Sequence, residues 1–183
     1  MRRPAPLGIA LLFLLAASPF GCAPVPQPLS NRFVAALEVH LASVRDRQDF
    51  VDILRRQATR ESLDFEDVSD EWRDFPEHNG RRTIYIGLYR RNGLGKNMEV
   101  MADNWKADAD PWVMFLYGKA PGDARRTRDA LIAALEARWP DAHRIPATAS
   151  GGLPQRTDLV LTAKGYAIKP DAQVRYQSPD ERR

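Results

Sequence analysis

The sequence predicts an α+β domain of two layers, in which an antiparallel or mixed sheet of about four to five strands carries two main helices on one face. Three observations predict it. Apolar residues recur at three- and four-residue spacing from Phe33 onward and again around Leu131, as in helices that lie on a sheet. Between these stretches stand runs rich in β-branched and aromatic residues, separated by turn signals. A further run of this kind follows the second helix, which gives the order α-β-β-β-α-β.

Each element has its own warrant. Ser30 or Asn31 can cap a first helix whose inner stripe is Phe33, Val34, Leu37, Leu41, Val44, Val51, Leu54 and Ala58. Asp46-Arg47-Gln48-Asp49 interrupts that stripe, so the helix is expected to bend or restart there, with Asp49 as a second cap. Residues 61–77, ESLDFEDVSDEWRDFPE, hold eight acids and one base, Arg73, and read as a short strand with a loop or as a ragged helix. After Asn79-Gly80, the run RTIYIGLYRR (82–91) is a strand, Asn92-Gly93 a hairpin turn and MEVMADNW (98–105) the return. PWVMFLYGK (111–119) is apolar on both faces, as a strand inside a sheet is.

Pro121-Gly122-Asp123 opens the second helix, Leu131, Ile132, Leu135 and Trp139 form its inner face, and Pro140 stops it. PATASGGLPQR reads as a mobile linker, TDLVLTA (157–163) as a strand and Tyr166–Ile168 as a last extended piece. The single domain thus runs over 30–177, with a frayed charged tail at 178–183. A content of 44% hydrophobic and 28% charged residues is that of one globular domain of ordinary size.

The candidate sites are few. Gly93-Leu94-Gly95-Lys96 lacks the first glycine and the hydroxyl of a phosphate-binding loop, and it joins two strands, so it reads as a hairpin turn. Asp64, Glu66, Asp67, Asp70 and Glu71 lack the spacing that converges oxygens on a calcium ion, and read as a solvated acidic face that can serve as a partner surface. His40, His78 and His143 have no metal-ligand spacing, and His40 reads as a boundary residue of the first helix. Ser150 stands in Thr-Ala-Ser-Gly-Gly, which is not a nucleophile elbow. No catalytic set, metal site or cofactor site is expected.

Arg125, Arg126 and Arg128 crowd the first turns of the second helix, with Lys119 just before it. Cations there add to the partial positive charge of the helix terminus, so the spot favours an anion or an acidic partner surface. The alternative is a solvated helix face with partners from segment 61–77. Tyr85, Tyr89, Trp105, Trp112 and Tyr117 read as core or sheet-face packing before they read as an aromatic ligand groove.

The N-terminus carries an address. Arg2 and Arg3 precede an apolar run of eleven residues, Leu7 to Ala17, which is too short for a hydrocarbon layer that needs about 20. Charge, length and the break at Ser18, Pro19 and Gly21 fit a removable secretory signal over 1–21. Pro19-Phe20-Gly21-Cys22 follows, and Cys22 is the only cysteine of the chain. This arrangement resembles the signal of bacterial lipoproteins, in which a lipobox ends in the cysteine that receives the lipid. The resemblance covers the first 22 residues; Gly21 matches the pattern, while Pro19 stands where leucine is usual and Phe20 is larger than the usual residue.

It implies a lipid on Cys22, and Ala23 in the second position resembles lipoproteins sent to the outer membrane, on its periplasmic face. Residues 22–29, CAPVPQPL, would then be the lipidated cysteine and a stiff proline-rich tether. The alternative is ordinary cleavage near Ala17 or Ser18, which leaves a soluble periplasmic or secreted protein with a free thiol. Loss of Arg2 and Arg3 takes the formal net charge from +3 to +1, so basicity gives no reason to expect nucleic acid as a partner.

These readings combine into one expectation: a non-enzymatic, lipid-anchored cell-envelope protein that binds a protein or an envelope component, as an assembly factor or as an immunity or inhibitor lipoprotein. The alternative is a periplasmic hydrolase that uses carboxylates of segment 61–77 together with His78.

Overall fold

A computed structural model describes residues 32–73, 84–93, 95–104, 110–116 and 121–177. The signal at 1–21, Cys22 and the tether, Asp74, Glu77, His78, Trp105, Tyr117, Lys119 and the tail at 178–183 lie outside the described residues.

The domain is α+β, with a six-stranded sheet in the order β2-β3-β4-β5-β1-β6 and a separate pair β7-β8. The strands of the main sheet are β1 (Phe33–Glu38), β2 (Asp64–Asp67), β3 (Tyr85–Asn92), β4 (Gly95–Asp103), β5 (Trp112–Leu116) and β6 (His143–Ile145). Those of the pair are β7 (Leu159–Thr162) and β8 (Gly165–Ile168). Among the described residues all strand pairings are antiparallel. Two long helices, α1 (Val44–Arg60) and α3 (Pro121–Arg138), and two short ones, α2 (Ser69–Arg73) and α4 (Gln173–Tyr176), complete it.

The first expected helix is two elements. Phe33–Glu38 is an interior strand of the sheet, between β5 and the edge strand β6, and the helix begins only at Val44. The spacing of Phe33, Val34 and Leu37 fits a helix as well as a short buried strand, and a run of this length does not separate the two. Burial against both neighbours decides for the strand. Ser43 caps α1: its hydroxyl accepts from the Asp46 amide at 3.0 Å, so Asp46 to Asp49 form the first turns of the helix and not an interruption.

Alternation along the strands builds a core on each face of the sheet. Leu37 of β1, Ile86 and Leu88 of β3, Val100 and Ala102 of β4, and Val113 and Phe115 of β5 face the helices. Phe50, Ile53, Leu54 and Ala58 of α1 meet them, with Leu131 and Leu135 of α3 and the following Trp139. Phe50 and Trp139 pack edge to face, 6.0 Å between centroids. Arg138 ties the two helices together through Asp46 and Asp49. The residues that alternate with the first set, Ala36, Trp112 and Met114, face the other way with Ile145 and Leu159. The β7-β8 pair covers them, so part of the second face is buried too.

β3 and β4 form the hairpin, turning at Gly93 and closing on an Asn92–Gly95 pair, and Gly95 takes φ +141°. Segment 61–77 holds both a strand, β2, and a short helix, α2. PATASGGLPQR is ordered as a turn: the Thr148 hydroxyl accepts from the Gly152 amide at 2.9 Å, and Gly151 takes φ +77° with the Arg32 side chain against it. Trp112 is fully buried, which makes it core and not ligand groove.

Candidate functional site

Two carboxylates are buried on the side of the sheet that the β7-β8 pair covers. Glu38 ends β1 on the face opposite the helices and is only 5% exposed. It accepts from Trp112 Nε1 at 3.0 Å and from the Tyr166 hydroxyl at 2.5 Å, and it pairs with the Arg156 guanidinium. Strand alternation places it there, because the residue one step back, Leu37, belongs to the helix-side core. Removal of a carboxylate from water is costly unless donors surround it, and three surround this one.

Asp158 is the second, 4% exposed, in the turn of 3-10 helix that enters β7. Its Oδ1 accepts from Arg175 at 2.9 Å and its Oδ2 from the Tyr176 hydroxyl at 2.5 Å. Tyr176 in turn accepts from the Gln155 amide at 3.0 Å. Burial first, and then the bond to Asp158, raise the Tyr176 phenol above its ordinary value.

The two tyrosines so fixed are walls of one open groove of about 530 Å³. Tyr166, Ala167 and Ile168 of β8 form one side, and Gln173, Tyr176 and Gln177 at α4 form another. Pro146 to Ala149, the segment that leaves the edge strand β6, closes the third. None of the lining residues is charged. β8 reaches β6 closely because Gly165, at φ +104°, has no side chain: a Cβ there would stand 2.8 Å from the Arg144 carbonyl oxygen. His143 packs edge-on against Tyr166, 5.7 Å between centroids. The groove is therefore a preformed, uncharged trough with two aromatic rings whose hydroxyls are already engaged. Such a surface suits apolar and aromatic-stacking contacts with an uncharged, extended ligand.

The residues singled out in the sequence lie elsewhere. Asp64 on the edge strand β2 meets Arg91 at 2.6 Å, and Glu66 pairs with Lys96. Asp67 accepts from the Ser69 amide and hydroxyl at the start of α2. Asp70 and Glu71 occupy the first turn of α2. On α3, Arg125 and Arg126 are exposed, and Arg128 is half-buried and meets its own neighbour Asp129 at 2.9 Å. The partners of Asp64 and Glu66 thus come from β3 and β4, not from the arginines of α3. His40 meets Asp110 at 2.9 Å, which raises its pKa. Among the described residues no cluster of histidine, cysteine and carboxylate groups is arranged to hold a metal ion.

No motif or spacing in the sequence marks Glu38, Asp158, Tyr166 or Tyr176 as site residues. The only signal available was Glu38 itself, an acid closing the apolar run Phe33–Leu37. Comparison of the chain with protein-family models, with curated proteins and with solved structures finds no match.

Proposed function

We propose that the chain is a lipid-anchored protein of the cell envelope, held through Cys22, whose domain is a non-enzymatic binding module with the tyrosine groove as its contact surface. The observation that carries the reading is the pair of buried carboxylates, each clamping one groove tyrosine. A side chain fixed before the ligand arrives loses little entropy on binding, so the clamps serve recognition. Both oxygens of each carboxylate are engaged by donors, which suits struts better than proton acceptors. Asp64, Glu66 and Asp67 are likewise engaged, which favours binding over the alternative of a hydrolase built on segment 61–77 with His78.

Two experiments test it. Radiolabelled palmitate is expected to enter the wild-type chain and not Cys22→Ser; equal labelling of both, or of neither, overturns the anchor. A photo-crosslinking residue at Gln173, activated in living cells, is expected to give a discrete adduct that disappears when Ala167→Arg fills the groove. An adduct pattern indifferent to Ala167→Arg, or no adduct, removes the groove as the contact surface.

A further inference from the structure

We propose that β8 is a strand-addition site: the groove takes an extended, uncharged segment of a partner polypeptide, which pairs with the open edge of β8 as a further strand. The inference rests on the reading of the groove as the contact surface, and it names the chemical class of the occupant.

The register of the β7-β8 pair shows which main-chain groups are on offer. The Lys169 amide donates to the Asp158 carbonyl at 2.8 Å, so these two residues form a hydrogen-bonded pair of the antiparallel ladder. Bonded and non-bonded pairs alternate along such a ladder, and Val160 with Ala167 is the next bonded one. Tyr166 and Ile168 fall on the alternate positions, so the N–H and C=O groups of both point away from β7. Among the described residues β8 pairs with β7 alone, and the main sheet ends at β6 without joining it. Tyr166, Ala167 and Ile168 all line the groove although their side chains alternate, and no residue of β7 lines it. The groove therefore runs along the edge of β8 that β7 leaves open.

Edges are ordinarily kept from pairing by charge. β2, an edge of the main sheet, carries Asp64, Glu66 and Asp67. β8 carries no charge, and neither does any residue that lines the groove. The facing bank is a wall and not a second pairing edge. Pro146 has no N–H, and Thr148 donates its amide to the Gly152 carbonyl while its own carbonyl accepts from Gly151, both at 2.9 Å. The outer edge of β7 is apolar as well, with Val160 and Leu161 exposed. There, however, the Leu159 amide is already bonded to the Arg156 carbonyl, which leaves Leu161 as the one residue with both groups turned outward.

The occupant follows from these groups. Tyr166 and Ile168 each present a donor and an acceptor, two residues apart, which is the repeat of an extended polypeptide. A partner strand needs its own N–H groups at alternate residues, which a proline-rich segment lacks. Main-chain bonds supply the affinity of such an addition, and the walls select the side chains. Tyr166 and Tyr176 give apolar ring surface, and a charged side chain would lose water there without finding a partner.

The test uses the chain from residue 22 onward with Cys22→Ser, and a phage-displayed library of random peptides as the probe. Selected peptides are expected to be uncharged over their central residues and to slow the hydrogen exchange of the Tyr166 and Ile168 amides. N-methylation of the peptide residues that face β8 is expected to weaken binding at least about tenfold, and methylation of the residues between them to change it little. Ala167→Arg is expected to abolish binding. Equal tolerance of both methylation patterns, selection of proline-rich peptides, or a library without a groove binder overturns strand addition. Slowed exchange at Leu161 in place of Ile168 assigns the strand to β7 and overturns it too. Each of these results leaves the Gln173 crosslink and its loss in Ala167→Arg standing, whereas failure of that crosslink removes the contact surface itself.

Discussion

Removal of the Glu38 carboxylate is the most informative perturbation of the fold. In Glu38→Ala the indole N–H of Trp112, a fully buried residue, loses its acceptor, and so does the Tyr166 hydroxyl. A hydrogen bond to a charged group contributes about 1.5–3 kcal/mol. Arg156 is about a third exposed and returns to water, so its contribution is discounted. Two such bonds at the lower figure give about 3 kcal/mol, within the range for removal of one partner from a buried pair. For a domain of this size that is a fall of about 6–12 °C in Tm. Urea unfolding followed by tryptophan fluorescence measures it, and Tyr166→Phe alone is expected to cost about half as much. The indole proton of Trp112 is also expected to shift strongly upfield in the variant, as its bond is lost. A loss below about 1 kcal/mol, with that proton unmoved, refutes the account of Glu38 as the strut of the groove.

Three further outcomes follow from other contacts. Gly165→Ala forces a side chain onto the Arg144 backbone at a left-handed φ and is expected to destabilise by at least about 1 kcal/mol, seen in the same unfolding assay. Ser43→Ala removes the cap of α1 and is expected to cost about 1 kcal/mol; the Asp46 carboxyl, now held low first by Ser43, is expected to rise in a carboxyl NMR titration. His40 is expected to titrate above its ordinary value of about 6.5, because of its hydrogen bond with Asp110 and that carboxylate's charge, and Asp110→Asn is expected to return it there. Since the folded value is the raised one, this pair's stabilisation is full below about pH 6.5 and is lost as pH rises through the folded value; His40→Gln removes that pH dependence of the unfolding midpoint.

Much of the fold was legible because its signals were local. The β3-β4 hairpin announces itself by Asn92-Gly93 between β-formers, β5 by five apolar residues in a row, and α3 by its stripe between Pro121 and Pro140. The failures came where local pattern and tertiary burial part. Phe33–Glu38 reads as helix until β5 and β6 close on both of its sides, and His143–Ile145 shows no pattern in three residues, being a strand only because β1 needs a second neighbour. The sheet therefore has six strands and not four or five. The groove was illegible for a similar reason. Glu38 lies 128 residues from Tyr166, and periodicity carries no information about such a pair. Local segments gave the arginines of α3 and the acids of β2 as candidates because their charges are adjacent in sequence; in the structure, Asp64, Glu66 and Arg128 find partners close at hand.

The place of β1 bears on how the chain folds. Although it is the first strand to be synthesised, it sits inside the sheet and has to wait for β5, some eighty residues later, and then for β6. Until both arrive, the domain is divided, with the β2-β3-β4 meander on one side and an unpaired first strand on the other. Pairings that close loops this long are slow to form, because the entropy of closure is spent before the contacts return it. The interior pairings of β1 are thus the long-range ones of the sheet, and they close only after the β2-β3-β4 meander has its own local partners.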